Sequence, residues 1–379
     1  MSRGRVVVAM SGGVDSAVAA LLLAREGYEV IGVTMRLYSV ENPDAAPLNR
    51  GCCTPEDVED ARRVCQVIGA RHYVLNFERE FQRHVIDYFV AEYQRGRTPH
   101  PCLACNDKIK FDFLLRRALF LEADFIATGH YARLVQRNGA YHLLEASDPR
   151  KDQSYVLFTL TQEEMGRLLL PVGWYSKDAI RALAREAGLA VADKPDSQEI
   201  CFIPSNDYRA FLAERVTPTP GEIVDTSGRV VGHHRGIEFF TVGQRRGLGV
   251  ASAEPRYVVS LDAERRRVVV GSLEELGQQV VWASRASYLA GVAPGGPAEV
   301  SAKIRYKSTQ APATLVPHGD WAELRFHQPQ RAVTPGQAVV FYQGEEVLGG
   351  GIIEGVGQRD DCPTGEICST CRPVTTQLP

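Results

Sequence analysis

The chain is short of everything that would mark a membrane or extracellular protein. Its longest apolar run, Ala17 to Ala24, falls far short of the roughly 20 residues a bilayer crossing needs, so no membrane span is expected. The basic start is followed by an apolar stretch, Val6 to Met10, too short for a signal sequence and without a small-residue cleavage site. Both features predict a cytoplasmic protein. Neither sign of charge dominates, since 43 Lys and Arg face 46 Asp and Glu for a net charge of -3. Any nucleic-acid binding must therefore come from local patches. There is no internal repeat and no low-complexity tract, which excludes a solenoid or a collagen-like chain. The nine cysteines are an odd number in a chain with no signal sequence. That argues against a disulfide framework and for thiols kept for metal or redox chemistry.

What is present is an ordinary globular composition, 44% hydrophobic and 23% charged, over 379 residues. That length predicts two or three domains. In the first half β-branched runs alternate with helical patterns. Strands are expected at Arg5–Met10, Glu29–Leu37, Arg71–Phe77 and Asp124–Thr128. Helices are expected at Asp15–Glu26, from Thr54 onward, and at about 80–94, 111–122 and 176–188. Thr54 is a helix cap, with Pro55 in the first turn and Asp57 placed for a capping box. This rhythm predicts an α/β fold with a parallel sheet covered on both faces. After about residue 205 glycine and proline become frequent and strand-like alternation takes over, with Thr217 to Gly221 as a junction. The expected organisation is a catalytic α/β domain (1–205), a small β-rich central module (206–278), a C-terminal β-barrel (279–357) and a flexible cysteine-containing tail (358–379).

The strongest local signal is Ser11-Gly12-Gly13-Val14-Asp15-Ser16, between the first strand and the first helix. Glycines let the backbone turn its amides toward an anion, the helix start adds a favourable dipole, and two hydroxyls add donors. The loop has no Walker lysine, and no G-x-G-x-x-G follows a strand elsewhere, which excludes a P-loop NTPase and a nicotinamide enzyme. The loop resembles the pyrophosphate loop of the N-type ATP pyrophosphatases, which adenylate an oxygen and release pyrophosphate. That resemblance implies ATP on Ala9, Met10, Ser11, Gly12, Gly13, Val14, Asp15 and Ser16, with Met35 and Gly129 near adenosine and Asp15 near magnesium.

Cys102 and Cys105 stand three apart in a proline-stiffened loop, and Cys201 follows in Ile200-Cys-Phe-Ile203. A thiolate is the reactive form, and Lys108, Lys110, His100 or a helix start after Asn106 would favour it. The plainer reading of C-x-x-C is half of a structural zinc site, but the only other such pair lies in the tail. Cys65 reads as core, Cys52 and Cys53 carry no expected chemistry, and Cys362, Cys368 and Cys371 belong to the tail.

Together these pieces resemble the tRNA-specific 2-thiouridylase family. The resemblance rests on Ser11–Ser16, Gly96–Pro99 with Cys105–Phe111, Ala127–Tyr131, Lys151–Tyr155, Ile200–Ile203, Thr241–Gly249 and Gly349–Glu354, in that order. It implies an adenine nucleotide alpha hydrolase-like (Rossmann-like) domain followed by two β modules. It also implies ATP-dependent adenylation of O2 of a wobble uridine, then sulfur transfer to C2. In that scheme Cys105 is the nucleophile, Cys201 carries a persulfide, and a disulfide between them forms and is reduced. A cysteine desulfurase or sulfur-relay protein is the implied donor. One departure is Cys102, where many members have Asp. Three thiolates, Cys102, Cys105 and Cys201, suffice for an iron-sulfur cluster with one open iron, so sulfide on such a cluster is the alternative donor.

For RNA, the resemblance implies contacts from His100, Pro101, Cys102, His130, Lys151, Asp152, Gln153, Arg305, Tyr306 and Gln337. Independently, Lys303, Arg305 and Lys307 alternate with Ile304 and Tyr306, so one strand would aim three cations at one face. His233-His234-Arg235 and Arg245-Arg246 are further basic candidates, while Arg265 to Arg267 reads as turn. Two rival classes remain: a synthetase that adenylates a small molecule, which needs neither cysteine, and a non-enzymatic RNA-binding or metal-storage protein, which leaves the glycine loop without a purpose.

Overall fold

The computed structural model describes residues 3–38, 54–196, 200–203, 205 and 207–357. Cys52, Cys53, the cysteines of the tail and the residues 197–199 lie outside the described residues.

The run Arg5-Val-Val-Val-Ala forms β1 (Arg5–Ala9) because β-branched side chains suit a strand covered on both faces. Alternation divides them: Val6 and Val8 join one apolar cluster, Val7 and Ala9 the other. Around β1 lie β2 (Glu29–Arg36), β3 (Arg71–Asn76), β4 (Phe125–Ala127) and the short β7 (Leu168–Leu169), in the all-parallel order β3-β2-β1-β4-β7. On the Val6 face pack α1 (Val14–Arg25), α2 (Pro55–Val67) and α8 (Lys177–Glu186). Thr54 caps α2, and the predicted capping box with Asp57 is formed in both directions. Cys65 is core, as its place on the apolar side of α2 requires.

The other face is covered by two long helical stretches. One runs through α3 (Glu78–Phe81), a widened stretch at Gln82–Ile86 and α4 (Asp87–Gln94). The second corrects the sequence reading. The loop expected around the cysteines is helical from Pro101, through α5 (Pro101–Ala104), a wide-turned stretch Cys105–Leu114 and α6 (Leu115–Phe120). Proline at the first helical position costs no hydrogen bond there, so Pro101 starts the helix instead of stiffening a loop. Wide turns of this kind concentrate at functional segments. Shorter helices, α7 (Gln162–Gly166) and α9 (Tyr208–Ala213), complete the domain.

A hairpin, β5 (Ala132–Arg137) and β6 (Ala140–Glu145), went unread in the sequence. Its signal was present: Asn138-Gly139 both take positive φ, 51° and 81°, the two-residue turn that matches strand twist. In the central module β8 (Gly221–Asp225), β9 (Val230–His234), β10 (Tyr257–Asp262) and β11 (Arg267–Gly271) form a sheet of order β10-β11-β8-β9. It has its own core around Ile223, Val258 and Val268.

The last six strands are β12 (Gly277–Tyr288), β13 (Ala298–Lys303), β14 (Ala311–His318), β15 (Trp321–Arg331), β16 (Ala338–Gln343) and β17 (Glu346–Val356). They run in the order β12-β15-β14-β13-β16-β17, and pairing of β12 with β17 closes an antiparallel barrel. The barrel's remaining edge contact is to the first domain, where β6 adds to β17. A second correction falls here: β13 ends at Lys303, and residues 304–307 turn away, with the Ser308 hydroxyl bonded to both the amide and the carbonyl of Arg305. No single strand therefore presents Lys303, Arg305 and Lys307 together. No helix among the described residues is long and apolar enough to cross a membrane.

Candidate active site

The glycine loop lies where β1 hands over to α1. Gly12 takes φ of +72°, and a Cβ there would sit 2.5 Å from the Asp57 carbonyl oxygen, so only glycine fits. Gly13 is the N-cap of α1, whose first turn holds Asp15. Ser16 braces the loop from inside: its hydroxyl donates to the Gly13 carbonyl at 3.1 Å and accepts from the Ser11 amide at 3.2 Å. Ser11 is exposed, and its hydroxyl lies 3.2 Å from that of Ser16. Gly129, after β4, lies against this turn; a Cβ there would come 2.7 Å from both Asp15 C and Ser16 N. Ala9, Met10 and Met35 are buried at the same end of the sheet.

The loop carries no lysine of its own, yet two distant lysines converge on it. Lys194 Nζ donates to the Gly12 carbonyl at 2.9 Å and to Asp57 and Asp60 at 2.7 and 2.6 Å. Lys177 Nζ lies 2.8 Å from both carboxylate oxygens of Asp15 and 2.8 Å from Asp196. The Tyr131 hydroxyl donates to the same Asp15 at 2.6 Å. Asp196 in turn accepts from Lys151 at 2.7 Å and Arg181 at 3.0 Å. Burial alone would push the Asp196 carboxyl up, but the hydrogen bonds and charges of Lys151 and Lys177 prevail and hold it at about 2. One chain of charges thus runs from the glycine loop to the segment that precedes Cys201.

Sequence reasoning missed Lys177, Lys194 and Tyr131. Part of a signal existed for the first: Lys177 follows the cap Ser176 and opens α8, where the helix dipole disfavours a cation, and the structure buries it there. A lysine in such a place has a carboxylate partner, here Asp15.

Magnesium is commonly held by one or two carboxylates together with substrate phosphates. Asp15, in the first turn of α1, is a carboxylate of that kind, and in this structure its oxygens are engaged by Lys177 and Tyr131.

The thiol end lies on the opposite face of the sheet. His100 is extended and Pro101 begins the helix, so Cys102 is exposed and Cys105 half-buried. Cys201 is also half-buried, and Cys105 and Cys201, both thiols, pack on the same apolar core. Among the described residues no three Cys, His, Asp or Glu side chains gather as a metal site. Asn106, next to the nucleophile candidate, is buried and donates to the Val156 carbonyl at 3.1 Å.

Lys110, on the same helix, ties this end to the sheet. Its Nζ lies 3.4 Å from His130 Nε2, while His130 Nδ1 lies 2.7 Å from the Thr128 hydroxyl just beyond β4. Burial, with Lys110 beside it, holds the His130 imidazole well below its ordinary range, so it is neutral. An ammonium donor at Nε2 assigns the proton to Nδ1. His100 is neutral as well, pushed down to about 4 by burial between Tyr155 and Tyr306, whose rings lie 5.8 and 6.1 Å away.

The residues expected at RNA divide into two groups. Arg305 and Cys102 are exposed, and Lys151, Gln153, Tyr306, His100 and Gln337 are partly exposed. Pro101 and His130 are buried, and the Asp152 carboxylate is taken by Ala146 N, Ser154 and Lys303. Lys303, expected to meet phosphate, bridges Glu145 at 2.8 Å and Asp152 at 3.3 Å instead. Its ammonium therefore joins the barrel to the β5–β6 hairpin and the segment after it. In the central module Arg245 and Arg246 are exposed, whereas His234 turns inward to the Arg266 carbonyl. Arg265 does sit in a turn, its amide bonded to Asp262.

A parallel sheet with an anion loop at the first strand-helix junction, joined to a small β module and a closed barrel, defines a HUP-type enzyme scaffold with two appended β modules. Family models agree part by part: a tRNA methyl transferase HUP domain matches residues 4–205, a tRNA methyl transferase PRC-barrel domain 209–272, and an aminomethyltransferase beta-barrel domain 278–353. The tRNA-specific 2-thiouridylase MnmA of Geobacter metallireducens is 52% identical over 360 residues, covering 93% of this chain and 97% of its own. That of Moorella thermoacetica is 51% identical over 357 residues, covering 93% of this chain and 100% of its own. The chain belongs to the tRNA-specific 2-thiouridylase family.

Proposed function

We propose that this protein converts the wobble uridine of tRNA to 2-thiouridine, using ATP to activate O2 and a persulfide on Cys201 to supply sulfur. The observation that carries this reading is the placement of Cys105 and Cys201 on one core. The Cys105 helix is linked by Lys110 and His130 to the sheet end that holds the glycine loop.

The backbone amides of Gly12 and Gly13 and the dipole of α1 receive the phosphates. Ser11 adds a hydroxyl. Magnesium, held by Asp15 and phosphate oxygens, would offset the charge that builds on pyrophosphate as it leaves. Uridine O2 attacks the α-phosphorus, pyrophosphate departs, and C2 carries an AMP leaving group in place of a carbonyl oxygen. The terminal sulfur of Cys201–S–SH then adds to C2 and AMP leaves with O2. The Cys105 thiolate attacks the Cys201 sulfur, so the sulfur–sulfur bond breaks and its electron pair stays with the new thiocarbonyl. Cys105 and Cys201 end as a disulfide, which a cellular dithiol reduces. His100 and Tyr306, backed by the fully buried Tyr155, form an uncharged aromatic wall suited to a splayed base. A cysteine desulfurase or sulfur-relay protein reloads Cys201, and the reaction runs in the cytoplasm.

Pyrophosphate release with and without tRNA, together with 2-thiouridine formation, tests this reading. Release should require tRNA and persist in Cys105→Ser and Cys201→Ser, while 2-thiouridine disappears in both. Release without RNA, or thiolation by Cys105→Ser, would overturn it. Iron and acid-labile sulfide in protein prepared without oxygen decide the donor, and near-stoichiometric iron would replace the persulfide by sulfide on a cluster held by Cys102, Cys105 and Cys201.

A further inference from the structure

The stretch that leads into the Cys105 helix has few means of holding its own position. Pro99 and Pro101 lack N–H groups, and the stretch forms neither helix nor strand between Gly96 and His100. The Arg97 amide donates to the nearby Glu92 carbonyl at 2.9 Å and the Thr98 hydroxyl to Thr241 of the central module at 3.4 Å, and the remaining anchors come from the far end of the chain. The Thr98 amide donates to the Pro335 carbonyl at 2.9 Å. The side-chain amide of Gln337 donates to the carbonyls of Thr98, at 2.9 Å, and Pro99, at 3.3 Å. The Arg97 guanidinium, largely buried, is shared between Glu92 and Glu354 of β17, and Ser284 of β12 donates to Glu354 at 2.6 Å. Tyr155, which packs on His100, is itself fixed by its hydroxyl on the Ala338 carbonyl at 2.8 Å.

We infer that the C-terminal barrel is part of the catalytic apparatus, and that Gln337 is a positioning residue which sets the Cys105 helix by gripping the Thr98 and Pro99 carbonyls. The family resemblance gives Gln337 to RNA, but here the two hydrogen bonds of its side-chain amide go to the stretch that starts that helix. Two carbonyls held by one planar amide fix both the height and the direction of the chain entering Pro101. The Arg97–Glu354 pair fixes the other end of the same stretch. Displacement of a reacting group by about 1 Å costs on the order of 100-fold in rate, so a partial loosening of this grip has a measurable effect. The kinetic part of this inference rests on the proposed thiolation; the placement of Cys105 does not.

The test compares wild type with Gln337→Met, which keeps length and removes both donors, and Gln337→Glu, which sets a carboxylate against two carbonyls. Three quantities are read: kcat for 2-thiouridine, Kd for tRNA, and the rate at which iodoacetamide labels Cys105, followed by peptide mapping with Cys201 as reference. The expected result is a ~10-fold fall in kcat for Gln337→Met and more for Gln337→Glu, with tRNA Kd changed less than about twofold. Cys105 labelling should shift relative to Cys201 in both variants, and tRNA-dependent pyrophosphate release should persist. Weaker tRNA binding with unchanged Cys105 labelling would make Gln337 an RNA contact and overturn the inference, as would no change in any quantity. If wild type makes no 2-thiouridine, the proposed function fails while the labelling comparison still tests the grip.

Discussion

Lys177 and Asp15 form a two-pronged ion pair, with Nζ 2.8 Å from each carboxylate oxygen, although the start of α8 and the first turn of α1 are far apart in sequence. The pair supplies the glycine loop with the cation its own sequence lacks. It also balances a carboxylate that would otherwise repel phosphate.

Because the Lys177 side chain is only 8% exposed, Lys177→Met leaves Asp15 and Asp196 short of their shared cation. Loss of one partner of a buried pair costs roughly 3–5 kcal/mol, and Asp15 is partly solvated, so about 3 kcal/mol is expected. Urea unfolding measures it. A loss below about 1 kcal/mol would mean the pair behaves as a surface ion pair.

The half-buried His100, its ring packed against Tyr155 and Tyr306, makes stability depend on pH. Its imidazole protonates in the folded chain only at about 4, against an ordinary 6.5, so between these values the unfolded chain binds the extra proton. Stability is then full above the ordinary value, falls as pH drops toward about 4 and levels below it. His130 acts in the same direction. His100→Phe should therefore flatten part of the slope, as read by thermal melts across that window; an unchanged slope would place a charged imidazole in the folded chain.

Lys303 and the residues after it separate structure from RNA binding. Lys303→Met removes the bridge to Glu145 and Asp152 and should lower the melting temperature while leaving the salt dependence of tRNA binding as it was. Arg305 and Lys307 are exposed, so Arg305→Ala with Lys307→Ala should weaken binding and reduce the slope of log K against log salt by about 2. Filter binding at several salt concentrations distinguishes the two variants. A slope lost with Lys303 alone would reverse this assignment.

A methyl group on Gly129 would strike the backbone of Asp15 and Ser16 at 2.7 Å. Gly129→Ala should displace the first turn of α1 and reduce tRNA-dependent pyrophosphate release by at least ~10-fold, while tRNA binding through the exposed cations is kept. Retained pyrophosphate release would show that the loop tolerates the shift.

Several parts of this protein are determined by residues close together in the chain. The β-branched run of β1, the capping box of Thr54 and Asp57, and the two glycines ahead of Asp15 each act through neighbours within a few positions, and each forms as the sequence predicts. The Asn138-Gly139 turn acts in the same local way, and the hairpin it makes was legible but went unread. Other features are decided only when the chain folds. Whether Lys303 meets phosphate or Glu145, whether Gln337 faces RNA or the Thr98 carbonyl, and which carboxylate holds Lys177 depend on partners brought from distant elements. Alternation and turn chemistry set which way a side chain points from its own strand or helix. The burial of a long polar side chain is tolerated only beside a matching group, and which group that is depends on how the sheet, the hairpin and the barrel pack against one another.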